Sequence, residues 1–170
     1  MGKVKKIFKI LCLAIFLFNI SMFSFAQKSA NQVKLNVKSI SPIHFGTFCI
    51  TGANGGTVTL NYNGTRTSTG SIMLLPQVPI AQASTFEVKV CPPRNLFITY
   101  DATTILTGTL GGQLTLDIGP TNMGGSGASF MSDGNCNWDN PIIVGGTLHV
   151  PGTAVPDNYS GSFAITFNQE

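Results

Sequence analysis

Tyr159-Ser160-Gly161-Ser162-Phe163-Ala164-Ile165-Thr166-Phe167 is the stretch that decides how this chain folds. Tyr159, Gly161, Phe163, Ile165 and Phe167 fall on one side of an extended backbone, and Ser160, Ser162, Ala164 and Thr166 on the other. A period of two belongs to a strand with one buried face, and here it predicts one long core strand near the C-terminal end.

The same alternation recurs toward the N-terminus. Leu114, Leu116 and Ile118 repeat it, as do Phe86, Val88 and Val90 against Glu87 and Lys89, and Val33, Leu35 and Val37 against Lys34, Asn36 and Lys38. Further strands are expected at 44–50, 57–62, 72–75, 96–100, 105–107 and 147–150. Turn signals separate them: Asn54-Gly55-Gly56, Asn63-Gly64, Gly111-Gly112, Gly119-Pro120 and Gly145-Gly146. From Gln27 onward no stretch of a dozen residues carries the i, i+3, i+4, i+7 pattern of an amphipathic helix. The fold class is therefore all-β, an immunoglobulin-like or Greek-key β-sandwich of about ten short strands. The segments 123–127 and 132–141 are expected as surface loops.

The first 26 residues read differently. Residues 1–9 carry four lysines, residues 10–20 are apolar apart from Asn19, and Ser24-Phe25-Ala26 supplies a small-x-small cleavage pattern before Gln27. This predicts an export signal over 1–26 and one secreted β-sandwich domain over 27–170. Of 170 residues, 144 then remain, enough for a single domain that buries roughly 70% of its unfolded surface. Six basic residues against seven acids leave that part at −1. A near-neutral chain without Lys/Arg clusters lacks the footprint for nucleic acid or for polybasic membrane attachment. No apolar stretch after the signal is long enough for a transmembrane span.

Cys12 lies inside the apolar run and leaves with the signal, so Cys49, Cys91 and Cys136 remain in a chain bound for a compartment where disulfides persist. Three cysteines allow three single bridges. Cys49 with Cys91 is favoured, because both stand at the ends of well-marked strands.

Several ordered blocks go beyond pattern. They are Phe45-Gly46-Thr47-Phe48, Gly55-Gly56-Thr57-Val58-Thr59-Leu60, Asn63-Gly64-Thr65-Arg66-Thr67-Ser68-Thr69-Gly70, Phe86-Glu87-Val88, Gly145-Gly146-Thr147-Leu148 with Val150, and Tyr159-Ser160-Gly161-Ser162-Phe163. Together they resemble a bacterial secreted family known as domain of unknown function 4402. The resemblance implies export, a β-rich domain, occurrence in Gram-negative bacteria including the Bacteroidetes, and a relation to fimbrial subunits. It implies no catalytic residues. The chain departs from that family's pattern in its three later cysteines and in the segment 133–141. Structurally, Gly46 between two aromatics suits a bulge or close backbone approach, and the paired glycines suit tight turns. Arg66 reads as a surface arginine lying along a strand rather than as a ligand contact.

Chemistry is harder to find. His44 and His149 sit in predicted strands beside apolar residues and read as structural packing, and Ser126 lacks the second glycine of a nucleophile elbow. The cysteines are too far apart for a zinc site. The carboxylates Glu87, Asp101, Asp117, Asp133, Asp139, Asp157 and Glu170 show no spacing that recommends a glycosidase pair. No catalytic residue, no metal site and no cofactor is assigned, and no enzymatic activity is expected.

Two segments carry binding hypotheses. Asp133, Asn135, Asn137 and Asp139 alternate as calcium ligands do, although Trp138 and Val144 stand where an EF-hand loop needs Gly and Glu. Trp138 in that loop is placed to stack on a sugar ring or to cap the core. Val33, Leu35 and Val37 form either an ordinary first strand or an assembly strand that completes a neighbour's sheet. The expected function is that of an exported, non-enzymatic envelope or surface protein, a structural or adhesive subunit of fimbrial type in the periplasm or on the cell surface. Its partners are itself or other envelope proteins. The alternative is a carbohydrate- or calcium-dependent binding module that engages surface glycans.

Overall fold

The structure, a computed structural model, describes residues 34–133, 136, 138 and 140–169. The expected signal segment, Val33, Asn135, Asn137, Asp139 and Glu170 lie outside them. Residues 33–170 form one compact unit. Among the described residues every regular element is a strand, in agreement with the all-β sandwich. They are β1 (Asn36–Ser41), β2 (Phe48–Ile50), β3 (Gly56–Leu60), β4 (Arg66–Gly70), β5 (Ile72–Leu74), β6 (Ser84–Lys89) and β7 (Asn95–Tyr100). They continue as β8 (Thr103–Gly108), β9 (Gln113–Thr121), β10 (Ser129–Met131), β11 (Asn140–Val150), β12 (Tyr159–Ser160) and β13 (Ile165–Gln169). No described helix is long and apolar enough to cross a membrane.

β11 organises the large sheet. Its first half, from Asn140 to Val144, pairs with β6, and its second half, from Gly146 to Val150, pairs with β3. Its opposite edge pairs with β9. β1 then flanks β6, β4 flanks β3, and β8 and β12 continue outward from β9, all antiparallel. A smaller sheet runs β10-β7-β13, and β2 pairs with β5.

Two glycine signals expected as turns are strand interior instead. Gly145-Gly146 lies within β11, at the handover from β6 to β3, where a Cβ on Gly145 would collide with the backbone of Leu60 and stand 2.9 Å from the amide nitrogen of Tyr62. Glycine is required there by close approach of another strand. Gly119-Pro120 lies within β9, where the register with β11 slips between Val144 and Gly146. Gly119 has a φ of 84° and is packed beneath the ring of Tyr100, so the pair makes a bulge. Asn63-Gly64 and Gly111-Gly112 are the expected turns, with φ of 83° and 91° at Gly64 and Gly111.

The expected long C-terminal strand is two strands in two sheets. β12 pairs with β8, the chain crosses at 161–164, and β13 pairs with β7. The backbone of Ile105 and Leu106 lies against Gly161, leaving no room for a side chain. Periodicity did not reveal the crossing because both sheets face one core, so the inward side stays inward. Phe163 and Phe167 both stand against Phe86, at 6.3 and 6.4 Å between ring centroids.

One cluster fills the space between the sheets. Val58, Leu60, Val88, Leu96, Ile98, Leu116, Ile142 and Val144 are essentially inaccessible. Each such side chain contributes about 1.5–3 kcal/mol on burial.

The bridge is Cys91–Cys136, with Cα atoms 5.2 Å apart, and Cys49 is a free thiol. This replaces the expected Cys49–Cys91 pair, and the reason is register. Cys49 faces Met73 across the β2–β5 pair, whereas β6 and β11 pair antiparallel with Val88 opposite Asn140. Cys91 follows the end of β6 and Cys136 precedes the start of β11, so that pairing puts both cysteines at the same end of the two strands.

Candidate functional site

Core alternation on one side of the large sheet fixes what stands on the other. Opposite Val58 and Leu60 in β3, Leu114, Leu116 and Ile118 in β9, and Leu148 and Val150 in β11, the outward positions are Thr57, Thr59, Gln113, Thr115, Asp117, Thr147 and His149. The registers align these residues across five neighbouring strands. One row runs Thr67, Thr59, Thr147, Asp117, Thr103 from β4 to β8, and the next runs Thr69, Thr57, His149, Thr115, Ile105. Gln113 and Thr107 begin a third. Eight threonines thus share one side of five strands.

Cross-strand hydrogen bonds tie the array together. The Thr57 and Thr69 hydroxyls are 2.7 Å apart, and those of Thr59 and Thr147 are 3.0 Å apart. At the centre His149 Nε2 meets Asp117 Oδ2 at 2.7 Å, with 48% and 47% of the two side chains exposed. Asn54, Gly56, Thr57, Gln113, Thr115, His149, Val150 and Pro151 line a shallow open groove of about 450 Å³ beside this pair.

His149 was expected to pack in the interior and does not, because its parity on β11 puts it outside while Leu148 and Val150 point in. His44 is also exposed, and its Nδ1 accepts the amide of Gly46 at 2.8 Å. That bond holds Gly46 in its left-handed conformation, at φ 71°.

Arg66 sits on the inward side of β4. Its guanidinium donates to the carbonyls of Thr47 at 2.6 Å and Leu75 at 3.3 Å, clamping the β2–β5 pair to the large sheet. Burial pulls its pKa down from the ordinary arginine value. Arg66 is therefore not the surface arginine expected from sequence: the inward parity of its position on β4 makes it a half-buried tie between layers.

Of the other ionisable groups, Glu87 meets Lys38 at 3.9 Å. Asp157 accepts from the Thr109 hydroxyl, the amide of Leu110 at 2.7 Å and the amide of Asn158 at 2.7 Å. Those bonds, the Thr109 hydroxyl first, hold its carboxyl below the ordinary range. Among the described residues no three His, Cys, Asp or Glu side chains converge as a metal site.

In the 133–141 segment Asp133 and Trp138 are exposed, Trp138 by 38%, while Asn135, Asn137 and Asp139 lie outside the described residues. Ser132 is buried and accepts the amide of Arg94 at 2.9 Å, and β11 already begins at Asn140. Leu35 packs against the core, and Asn36 to Ser41 pair with β6 of the same chain. Val37 is 45% exposed rather than inward.

The threonine array escaped sequence reading. Its signal is threonine at alternate positions, Thr57 and Thr59, Thr67 and Thr69, Thr103 and Thr107, but only the registers make those pairs neighbours.

An antiparallel β-sandwich with one hydroxyl-rich outer side is the class of protein defined by this geometry. The chain belongs to the family described as Domain of unknown function (DUF4402), whose model matches residues 35–168. Comparison with curated proteins finds no match, and comparison with solved structures finds none.

Proposed function

We propose that this domain is an exported, non-enzymatic protein of a Gram-negative cell envelope or surface, a structural or adhesive subunit of fimbrial type that joins a neighbouring chain through β13. The observation that carries this reading is the contrast between two sheet edges. β1 ends the large sheet with exposed Lys38 and a register break between Ser39 and Ser41, both of which discourage pairing with another strand. Among the described residues β13 ends the small sheet as Ile165-Thr166-Phe167-Asn168-Gln169, without charge, proline or bulge, bonded to β7 along one side. Half-buried Phe86 and Phe163 stand beside it and offer apolar contact to an incoming strand. The bridge Cys91–Cys136 suits an oxidising compartment. The His149–Asp117 pair, open to water on a sheet face, favours binding over catalysis.

Residues 27–170 should form oligomers that resist reductant as concentration rises, read as mass in solution. Thr166→Lys, which puts a charge on an exposed position of the open edge, should return them to monomer. A wild-type monomer at every concentration would remove the assembly reading.

A further inference from the structure

We infer that the threonine-rich side of the large sheet binds a neutral glycan chain lying across its strands. This surface belongs to a different sheet from β13, so a monomer that binds glycan would sustain this inference while removing the assembly one.

Charge narrows the ligand first. His149 and Asp117 are the only ionisable side chains facing outward from β3, β4, β8, β9 and the second half of β11, and they contact each other. Such a surface gives an anionic or cationic polymer almost no electrostatic attraction. What it offers is directional. In each bonded threonine pair one hydroxyl proton is used, so the second hydroxyl keeps a donor, and lone pairs remain on both. Asn54 and Gln113 add amide donors and acceptors along the groove. Sugar hydroxyls, each both donor and acceptor, match that chemistry.

Geometry and rigidity narrow it further. Rows repeat roughly every 4.8 Å across strands and 6.7 Å along them, so an extended polymer meets the same hydroxyl pattern repeatedly. The side chains are held by ladders already formed, which lowers the ordering cost of binding. Ile105, 49% exposed opposite Thr115, supplies apolar contact for the C–H face of a sugar ring. A second protein would want a desolvated aromatic or aliphatic centre, and this half of the sheet faces out with no Phe, Tyr or Trp.

The test is affinity electrophoresis and calorimetry of the full mature chain against neutral β-glucan, mannan and xylan, with alginate and heparin as charged comparators. Retention by at least one neutral polysaccharide, insensitive to chelator and to salt, is expected. The combined variant Thr57→Val, Thr115→Val, His149→Ala should weaken it at least tenfold, and Lys38→Ala on the far part of the sheet should not. If the combined variant fails to fold, His149→Ala and Gln113→Ala taken singly should each weaken retention while the unfolding transition stays in place. Retention by charged polymers alone, or by none of the neutral ones, overturns the inference. So does neutral binding that survives every variant of this surface, and so does loss of self-association, rather than of glycan binding, in those variants.

Discussion

The outward side of the large sheet divides into two parts that solve the same problem differently. On β1 and β6 the wet positions carry Lys38, Glu87 and Lys89, the charges by which sheet surfaces ordinarily stay hydrated and unpaired. On β4, β3, β9, β8 and the second half of β11 they carry eight threonines around one His–Asp contact. Threonine suits a pleated strand by its branched side chain, so sheet propensity alone accounts for several of these residues. Propensity does not account for the near exclusion of charge from one part of a surface whose other part uses it. The lesson is that hydration sets a minimum which either chemistry meets, and the neutral part meets it without a net field at its surface.

The largest predicted effect probes whether the threonine part owes its behaviour to its outward side chains or to the core beneath. Leu116→Ala, at a position only 1% exposed under that array, should cost about 3–4 kcal/mol in denaturant unfolding. At a temperature where the variant remains folded, glycan retention should persist. Loss of retention in a folded Leu116→Ala would place the determinant in the backbone and blur the contrast.

Cys136→Ser comes next, because the bridge closes a separation of 45 residues where the charged part ends. It should cost about 2–4 kcal/mol. Cys49→Ser, at a half-buried free thiol, should leave the midpoint nearly unchanged. Equal losses in the two variants would contradict the pairing.

Within the charged part, Lys38 and Glu87 stand 3.9 Å apart with the lysine 59% exposed. Lys38→Ala should therefore change stability by no more than about 0.5 kcal/mol, and less in high salt. A larger effect would mean that charge holds β1 in place as well as keeping it wet.

The smallest effect concerns acid. Asp157 anchors the β8–β9 hairpin that borders the threonine part, and its folded pKa lies below its ordinary value of 3.8. Its contribution is complete above about pH 4 and disappears as pH falls through the lowered folded value. Asp157→Asn should lower the thermal midpoint slightly at pH 7 and abolish part of its fall on acidification. Identical pH profiles for variant and wild type would show that the hairpin does not depend on this carboxylate.

Much of the fold was legible because the hydrophobic effect writes a period of two into any strand with a buried face. Phe86, Val88, Leu114 and Leu116 were read from that period, the family blocks from their resemblance to a known family, and the Asn63-Gly64 and Gly111-Gly112 turns from backbone sterics. Gly119-Pro120 and Gly145-Gly146 misled because glycine serves close approach and bulges as well as turns, and local sequence does not say which. The expected disulfide failed for a related reason, since strand ends are local while the β6–β11 register is not.

By itself, then, the amino-acid sequence determined the β class, the family and which residues could turn inward, all consequences of neighbours along the chain. The tertiary structure alone decided which strands lie side by side. From that came the Cys91–Cys136 bridge, the division of the C-terminal segment between two sheets, the meeting of His149 with Asp117, and the gathering of threonines from five strands. Those outcomes depend on pairing between residues far apart in sequence, and the free energy of pairing belongs to the assembled sheet rather than to any one segment of it.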